Sequence, residues 1–415
     1  MKDALERIFQ LAPVTGLVLA YSGGLDSHVL LHLVAQFKVR HPTIPVRAIH
    51  IHHQIQAISA EWVEHCQQQC QILNIPLIIK TLNLALDAGE SVEALAREAR
   101  YQAFSQVLQS NEALLTAHHQ DDQAETLLLN LLRGSGVEGL AAMPEIRPLG
   151  QGYLIRPLLQ YSRAELEQYA STYQLDYIND PSNSDTRFNR NLLRHQVFPL
   201  LEQRWPAAKV LLARAAQYQQ EAVALNQQLL DSYLPQVLGS KPSTLSVRAL
   251  LKYSTLIQKA LLRHWLKIQG FTVPEAKRLD SILSHVLRAK EEASPLVHWS
   301  GCEVRRYRDD LYALKSLSTL GTELRWDGLS PIVFNEYLVM PVMVEKYLAS
   351  KANLTFIIRS RRGGERFWHG KQRLDLKTYW QTKGVPPWER ERRPLIYLDS
   401  ELILVPDVEF ASSFT

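Results

Sequence analysis

The chain has 415 residues, of which 46% are hydrophobic and 21% charged. Those values support large cores in two or three domains and exclude a mostly disordered chain. A formal net charge of +4 permits a polyanionic partner without requiring one. The cysteines, Cys66, Cys70 and Cys302, are too sparse for a disulfide framework and point to a reducing compartment. Cys66 and Cys70 stand one helical turn apart and read as buried helix-face residues rather than a redox or metal pair. The stretch from Met1 to Arg7 has no basic region leading into an apolar run, and no segment is apolar enough to cross a bilayer. The expectation is a cytoplasmic protein with no membrane partner.

In chain order, the first half alternates strands and helices. Leu17–Tyr21 reads as a buried strand and Ser27–Phe37 as a helix. Val46–His52 is a strand and Glu61–Leu73 a helix; Leu77–Leu82 is a strand, and Val92–Leu108 a helix with Ser91 as its N-cap. Ala113–Ala117 is a fourth strand, and Ala124–Leu132 lies on a helix. This alternation predicts an α/β fold: a mostly parallel sheet with helices on both faces, whose ligands bind at the carboxyl ends of the strands. Ser162-Arg-Ala-Glu165 is a capping box opening a helix, and Asn189–Leu201 and Ala207–Leu230 continue the helical run. Ser243–Leu314 reads as a mixed region with helices at Ile257–Ile268 and Glu275–Leu287. Gly321–Asn335, with Pro331, reads as linker or short strands. The expected domains are residues 1–228, then two smaller mixed or helical ones at 229–320 and 345–415.

Two strings carry chemistry. Ser22-Gly23-Gly24-Leu25-Asp26-Ser27 joins the first strand to its helix. Glycines let the backbone approach a phosphate, and the loop amides with the helix N-terminus make an anion site. Asp26 would repel phosphate by itself, but is accounted for if it holds or positions Mg²⁺ against the phosphates. His118-His119-Gln120-Asp121-Asp122-Gln123-Ala124-Glu125-Thr126 follows the fourth strand. Asp122 and Glu125 share a helix face and suit a metal or an ammonium group, and His118 can take or relay a proton. A zinc cluster of His118, His119, Asp121 and Asp122 is disfavoured because adjacent ligands rarely converge on one ion. A helix-dipole role for the acids is the plainer alternative. Arg97 and Arg100, at i and i+3, can clamp phosphate or form a solvated basic face.

The hexapeptide resembles the PP-loop of the N-type ATP pyrophosphatases. The His-His-Gln-Asp-Asp string, the Arg133-Gly-Ser-Gly136 loop and Asp180-Pro-Ser-Asn-Ser-Asp185 with Asn189-Arg-Asn-Leu-Leu-Arg194 narrow the resemblance to the tRNA(Ile)-lysidine synthetases within that superfamily. Lys383-Gly-Val-Pro-Pro-Trp-Glu-Arg390 resembles the last domain of their longer members. Where the family usually carries Gly after a His-His pair at the second strand, this chain has His52-His53-Gln54. The resemblance implies ATP as co-substrate, Mg²⁺, L-lysine, and the isoleucine tRNA with a CAU anticodon. It implies adenylylation of the wobble cytidine at O2 with loss of pyrophosphate, then attack of lysine at C2 with loss of AMP. Ser22, Gly23, Gly24, Leu25, Asp26 and Ser27 are the expected ATP loop. Arg97, His118, Asp122, Glu125, Asn183 and Arg194 are the other site candidates, their division among ATP, lysine and base left open. A tRNA thiolase would require paired cysteines that this chain lacks; a non-catalytic tRNA-binding protein would have no use for Asp26, Asp122 and Glu125.

The last region is basic and aromatic. Arg359, Arg361, Arg362, Lys371, Arg373, Lys377 and Lys383 are its expected tRNA contacts, in a run that continues to Arg390, Arg392 and Arg393. Phe367, Trp368, Tyr379, Trp380 and Trp388 are expected mainly in a small core, with the basic residues mainly facing tRNA.

Overall fold

Four short apolar runs, at β1 (Gly16–Ala20), β2 (Val46–His52), β3 (Leu77–Thr81) and β4 (Glu112–Leu115), pair in parallel in a computed structural model of the chain. The structure describes residues 1, 3–52, 59–82, 92–290, 293–321, 323–348, 354–369 and 372–406. The expected N-cap Ser91, together with His53, Gln54 and Lys371, lies outside the described residues. The chain divides into two compact units, Met1–Asn226 and Gln227–Thr415.

In the first unit the strand order is β3-β2-β1-β4-β6-β5, where β5 (Ile146–Leu149) and β6 (Gly152–Ile155) form an antiparallel hairpin whose second strand runs parallel to β4. The hairpin is absent from the expectations above. It is short, and Pro148 interrupts its first strand; such a strand is tolerated because it lies at the sheet edge, where no ladder donor is needed. The connections are α1 (Leu25–Arg40), α2 (Ser59–Ile72), α3 (Val92–Val107) and α4 (Gln120–Leu132). Leu17, Leu19, Val29, Leu33 and Phe37 share one core with Cys66 and Cys70 on one side of the sheet. Val18, Ile49, Phe104, Leu114 and Leu154 make the core of the opposite side. Burial on both faces is what a continuous apolar strand requires. The helix α5 (Arg163–Thr172) opens at Ser162, whose hydroxyl accepts from the Glu165 amide while the Glu165 carboxylate accepts from the Ser162 amide at 2.8 Å.

The segment expected as one helix from Asn189 to Leu201 is broken by a wide π turn over Leu193–Val197. Pro199 has no amide hydrogen for the carbonyl one turn before it, so the regular ladder fails there. Arg194 sits within that turn.

The second unit holds two four-stranded antiparallel sheets. The first contains β7 (Leu245–Ser246), β8 (Leu296–Trp299), β9 (Cys302–Tyr307) and β10 (Asp310–Leu314). It packs on a core that includes Trp265, Leu262 and Ile282. The second contains β11 (Glu323–Trp326), so part of the region read as linker or short strands is a strand of this sheet, paired with Phe356–Arg359. The remaining strands are Leu395–Leu398 and Glu401–Leu404. Among the described residues no helix is long and apolar enough to cross a membrane.

The turn after β1 depends on Gly23, at φ +87°; a Cβ there would lie 2.7 Å from Ile178 Cδ1 and 3.1 Å from Cys66 Sγ. Gly23→Ala is therefore expected to cost about 1–3 kcal/mol through backbone strain and overpacking. Equilibrium urea unfolding checks this; an unchanged midpoint would show that the turn relaxes freely.

Candidate active site

The connections from β1 and β4 leave these neighbouring strands in opposite directions along the sheet, which opens a crevice at their carboxyl ends. Both chemical strings of the sequence fall there. They line one cavity of about 1030 Å³, together with Arg97, Arg100, Tyr101, Asn183 and Arg194. The structure thus brings all the expected residues outside the C-terminal region to one wall or another of a single space, Gly23 excepted, which forms the turn beneath it.

The phosphate loop is internally braced. The Ser27 hydroxyl donates to the Gly24 carbonyl at 2.9 Å and lies 3.0 Å from the Ser22 hydroxyl. Asp26 opens α1, and its two carboxylate oxygens each accept from one Arg163 nitrogen at 2.6 Å. Burial dominates and raises the Asp26 carboxyl, against the lowering effects of His119 and Arg163. Arg163 is held in turn: its amide donates to Asp121 at 3.0 Å and its Nε to Glu167 at 3.0 Å. Nothing in the capping box at its position marks Arg163 as a site residue. Only the fold places it against a loop 137 residues away.

Asp122 and Glu125 share a face of α4, as their spacing requires. Glu125 is 1% exposed and accepts from Arg194 Nε at 2.9 Å, while Arg190 Nε is 3.4 Å away. Asp122 accepts from the His119 amide at 3.0 Å and lies 3.6 Å from Arg194. The two carboxyls are pushed in opposite directions. Burial raises Glu125 despite Arg194. Burial also acts to raise Asp122, but His119, His118 and Arg190 outweigh it and hold Asp122 below the usual carboxylate range. Such divergence between adjacent acids is how one site provides an ionised anchor and a proton acceptor together. Arg194, expected as a substrate contact, is thus a partner of both acids, and Arg190 is an additional member of the site.

His118 accepts or donates at 2.9 Å to the Thr116 hydroxyl. Burial lowers its pKa to about 4, and the arginines Arg156, Arg190 and Arg97 push the same way against Asp122. It is therefore neutral near pH 7. His119 is 2% exposed and its Nε2 lies 3.8 Å from Asp26 and 3.6 Å from Asp122. The Asp26 carboxylate, on the phosphate loop, is a hard oxygen donor of the kind Mg²⁺ uses beside phosphates. Among the described residues no group of three or more His, Cys, Asp or Glu is arranged to hold a metal unaided.

In the C-terminal region the aromatics divide as expected. Phe367, Trp380 and Trp388 are buried, whereas Trp368 is 63% exposed. The basic residues divide unexpectedly. Arg390 and Arg392 are buried. Arg390 donates to the Tyr307 hydroxyl at 2.7 Å, and Arg392 pairs with Glu336 and donates to Ser318 at 2.9 Å. They are structural, because a buried guanidinium must be matched by acceptors. Arg359 lies over the Tyr397 ring at 4.0 Å, and Arg362 donates to Glu323 at 3.0 Å. Arg361 is half-buried, whereas Arg373, Lys377 and Lys383 are exposed.

Known proteins resemble the chain along its length. A PP-loop domain model matches residues 1–201, a TilS substrate binding domain model residues 245–312, and a TilS substrate C-terminal domain model residues 356–415. The chain is 40% identical to the tRNA(Ile)-lysidine synthase of Alkalilimnicola ehrlichii, over 98% of this chain and 92% of that protein. It is 39% identical to the protein of the same name from Coxiella burnetii, over 97% and 90%. Among solved structures it resembles the U34-tRNA thiolase NcsA from Methanococcus maripaludis, with a TM-score of 0.45 and 18% identity over 53% of this chain and 78% of that one.

The neutral His118 makes a prediction. Its folded pKa of about 4 lies below the ordinary 6.5, so the unfolded chain binds the proton more readily. Stability is lost as pH falls from about 6.5 towards 4, by at most about 3 kcal/mol from this residue. His118→Asn should therefore lose less stability than the parent between pH 7 and pH 4.5. Parallel unfolding curves at the two pH values measure the difference, and identical losses would show that the fold does not displace the His118 pKa.

Proposed function

The chain belongs to the tRNA(Ile)-lysidine synthase family, and we propose that it joins the ε-amine of lysine to C2 of the wobble cytidine in the isoleucine tRNA with a CAU anticodon. It is a tRNA-modifying ligase, and its PP-loop domain uses ATP. The observation that carries the finer reading is the single cavity that joins a phosphate loop to two carboxyls of opposite pKa displacement.

In this reading the backbone of Ser22 to Ser27 and the N-terminus of α1 receive the ATP phosphates. Asp26 would hold Mg²⁺, which supplies charge neutralisation to the phosphates when bound. The cytidine O2 attacks the α-phosphorus and pyrophosphate leaves. The lysine ammonium is anchored by ionised Asp122, and Glu125, whose proton affinity is raised by burial, accepts the proton that the amine must lose before it attacks C2. AMP then leaves. Arg97, Asn183 and Arg194 position the base and the acids. The exposed Arg373, Lys377 and Lys383, with Arg359, Arg361, Arg362 and Lys371, provide further tRNA contacts. Sulfur transfer is disfavoured by the thiols themselves: burial pushes Cys66, Cys70 and Cys302 up to about 12, so none carries a thiolate near neutral pH.

The direct test is incubation with ATP, labelled lysine and tRNA, followed by nuclease digestion. Label in a modified cytidine of the isoleucine tRNA supports the reading, and label absent from all nucleosides overturns it. Asp26→Asn is expected to lower tRNA-dependent pyrophosphate release at least 100-fold with tRNA affinity retained, a loss on the scale of removing one charged group that stabilises a transition state. Near-normal release by the variant would remove Asp26 from the chemistry. The combined variant Arg373→Ala, Lys377→Ala and Lys383→Ala should weaken tRNA binding and flatten its dependence on salt. The log–log slope should fall by roughly 0.7–0.9 for each phosphate that is no longer neutralised. An unchanged slope would make these residues a solvated surface.

A further inference from the structure

Arg163 has a place in the cavity that the steps above do not use. It is the first residue of α5 and lines the cavity together with Asp26 and the phosphate loop. Its main chain is fixed. The amide donates to Asp121 at 3.0 Å, and Asp121 pairs in turn with Lys209 at 3.1 Å. The head of the side chain is held less completely. Nη1 alone donates to both Asp26 oxygens, each at 2.6 Å, and Nε donates to Glu167 at 3.0 Å. Nη2 has no hydrogen-bond partner among the described residues.

A guanidinium that grips a carboxylate firmly uses two nitrogens, one for each oxygen. Here one nitrogen makes both bonds, so the fork is half used and a donor is left for another acceptor. The Glu167 contact is a partly exposed pair one helical turn apart, a kind that contributes little, so it does not lock the head in place. Position gives the spare donor its meaning. Asp26 is the second residue of α1, at the helix N-terminus that the phosphate loop enters. A phosphate held by the loop amides therefore lies beside the carboxylate that Arg163 neutralises. Carboxylate and phosphate repel each other, and so do a guanidinium and a divalent cation on the same two oxygens. Both repulsions are relieved if Arg163 passes from one anion to the other as the site fills. Arg194 is not placed to do this, because it is committed to Glu125 and Asp122.

We propose that Arg163 is a phosphate-binding residue held in reserve: in the empty site its guanidinium neutralises Asp26 in place of a divalent cation, and when nucleotide and cation load it passes to a phosphate oxygen. The inference rests on the reading that the loop from Ser22 to Ser27 receives the ATP phosphates and that Asp26 would hold Mg²⁺. The move requires only side-chain torsions, because the Arg163 amide stays on Asp121. It also sets how the site fills. With Arg163 on Asp26, the empty site takes a divalent cation poorly by itself. A nucleotide that draws Arg163 away frees the carboxylate, so nucleotide and cation favour each other's binding. Linkage makes that coupling reciprocal.

The test compares Arg163→Gln and Arg163→Lys with the parent in the full chain. Mn²⁺ is the probe for the cation, titrated by electron paramagnetic resonance without nucleotide. The α,β-methylene analogue of ATP is the probe for the nucleotide, titrated by calorimetry in saturating Mg²⁺, and adenosine is the control that lacks phosphates. Arg163→Gln should bind Mn²⁺ roughly 10-fold more tightly and the Mg²⁺-loaded analogue roughly 10-fold less tightly, the scale of one hydrogen bond to a charged group. Adenosine affinity should not change. Arg163→Lys keeps the charge without the fork, so it should hold Mn²⁺ affinity near that of the parent and lose part of the analogue affinity. An arginine that only supports the fold would not give these opposite signs, because its loss would weaken both ligands. Unchanged or weaker Mn²⁺ binding by an Arg163→Gln protein that still binds adenosine would overturn the proposal. So would unchanged or tighter binding of the Mg²⁺-loaded analogue. If Arg163→Gln does not fold, Arg163→Lys decides, and analogue affinity equal to that of the parent overturns the proposal. Failure of the reading beneath it would look different: Asp26→Asn would bind Mn²⁺ as the parent does, and the proposal would fall with that reading.

Discussion

The pairing of β1 with β4 is the constraint on which the catalytic geometry depends. The two strands are far apart in sequence, yet Leu17 stands beside Ala113 and Leu19 beside Leu115. Each strand ends in a polar string, and the register brings both strings to the same edge of the sheet. The first connection returns to β2 on one side, while the route from β4 proceeds towards β6 on the other. The cavity opens between them. A cavity able to accept a nucleotide and a second substrate follows from that divergence, before any side chain is considered.

Charge compensation then determines which side chains can line the cavity. An unpaired buried carboxylate would lose several kcal/mol of hydration, so Asp26, Asp122 and Glu125 could not persist there alone. Arg163 reaches Asp26 from α5, and Arg194 reaches Glu125 from the π turn. The π turn therefore has a consequence beyond local geometry, because it carries the guanidinium that faces the acids. The compensation is incomplete at Asp26 and Glu125, whose carboxyls burial still raises. Incomplete compensation leaves these groups responsive to an arriving cation or ammonium group.

The second unit illustrates the same rule in a structural setting. Arg390 and Arg392 belong to a basic run, but their heads turn inward to Tyr307, Ser318 and Glu336. Trp388 packs against Tyr307 and Tyr312 at ring distances of 6.4 and 5.3 Å. Basic residues that join strands to loops in this way cannot also track a phosphate backbone. Arg373, Lys377 and Lys383, by contrast, are exposed.

Local pattern alone determined much about this protein. Runs such as Leu17–Ala20 are too apolar for a surface strand, the Ser162–Glu165 box can close only as a helix start, and the Asp122–Glu125 spacing places both acids on one face. These are near-neighbour effects, governed by the period of helix or strand and by hydrogen bonds a few residues long. Tertiary structure decided the rest. Arg163 has no local mark of function, and its role depends on a contact with Asp26 across 137 residues. Arg147 lies in, and Arg156 just beyond, a hairpin that is too short and too interrupted by proline to announce itself. The split of the C-terminal arginines between core and surface was likewise invisible, because a sequence counts charges but does not show which ones find a buried acceptor. Opposite pKa displacements in Asp122 and Glu125 combine both scales: the neighbouring His119 and His118 lower Asp122, while burial of Glu125 and its pairing with Arg194 come from the tertiary fold.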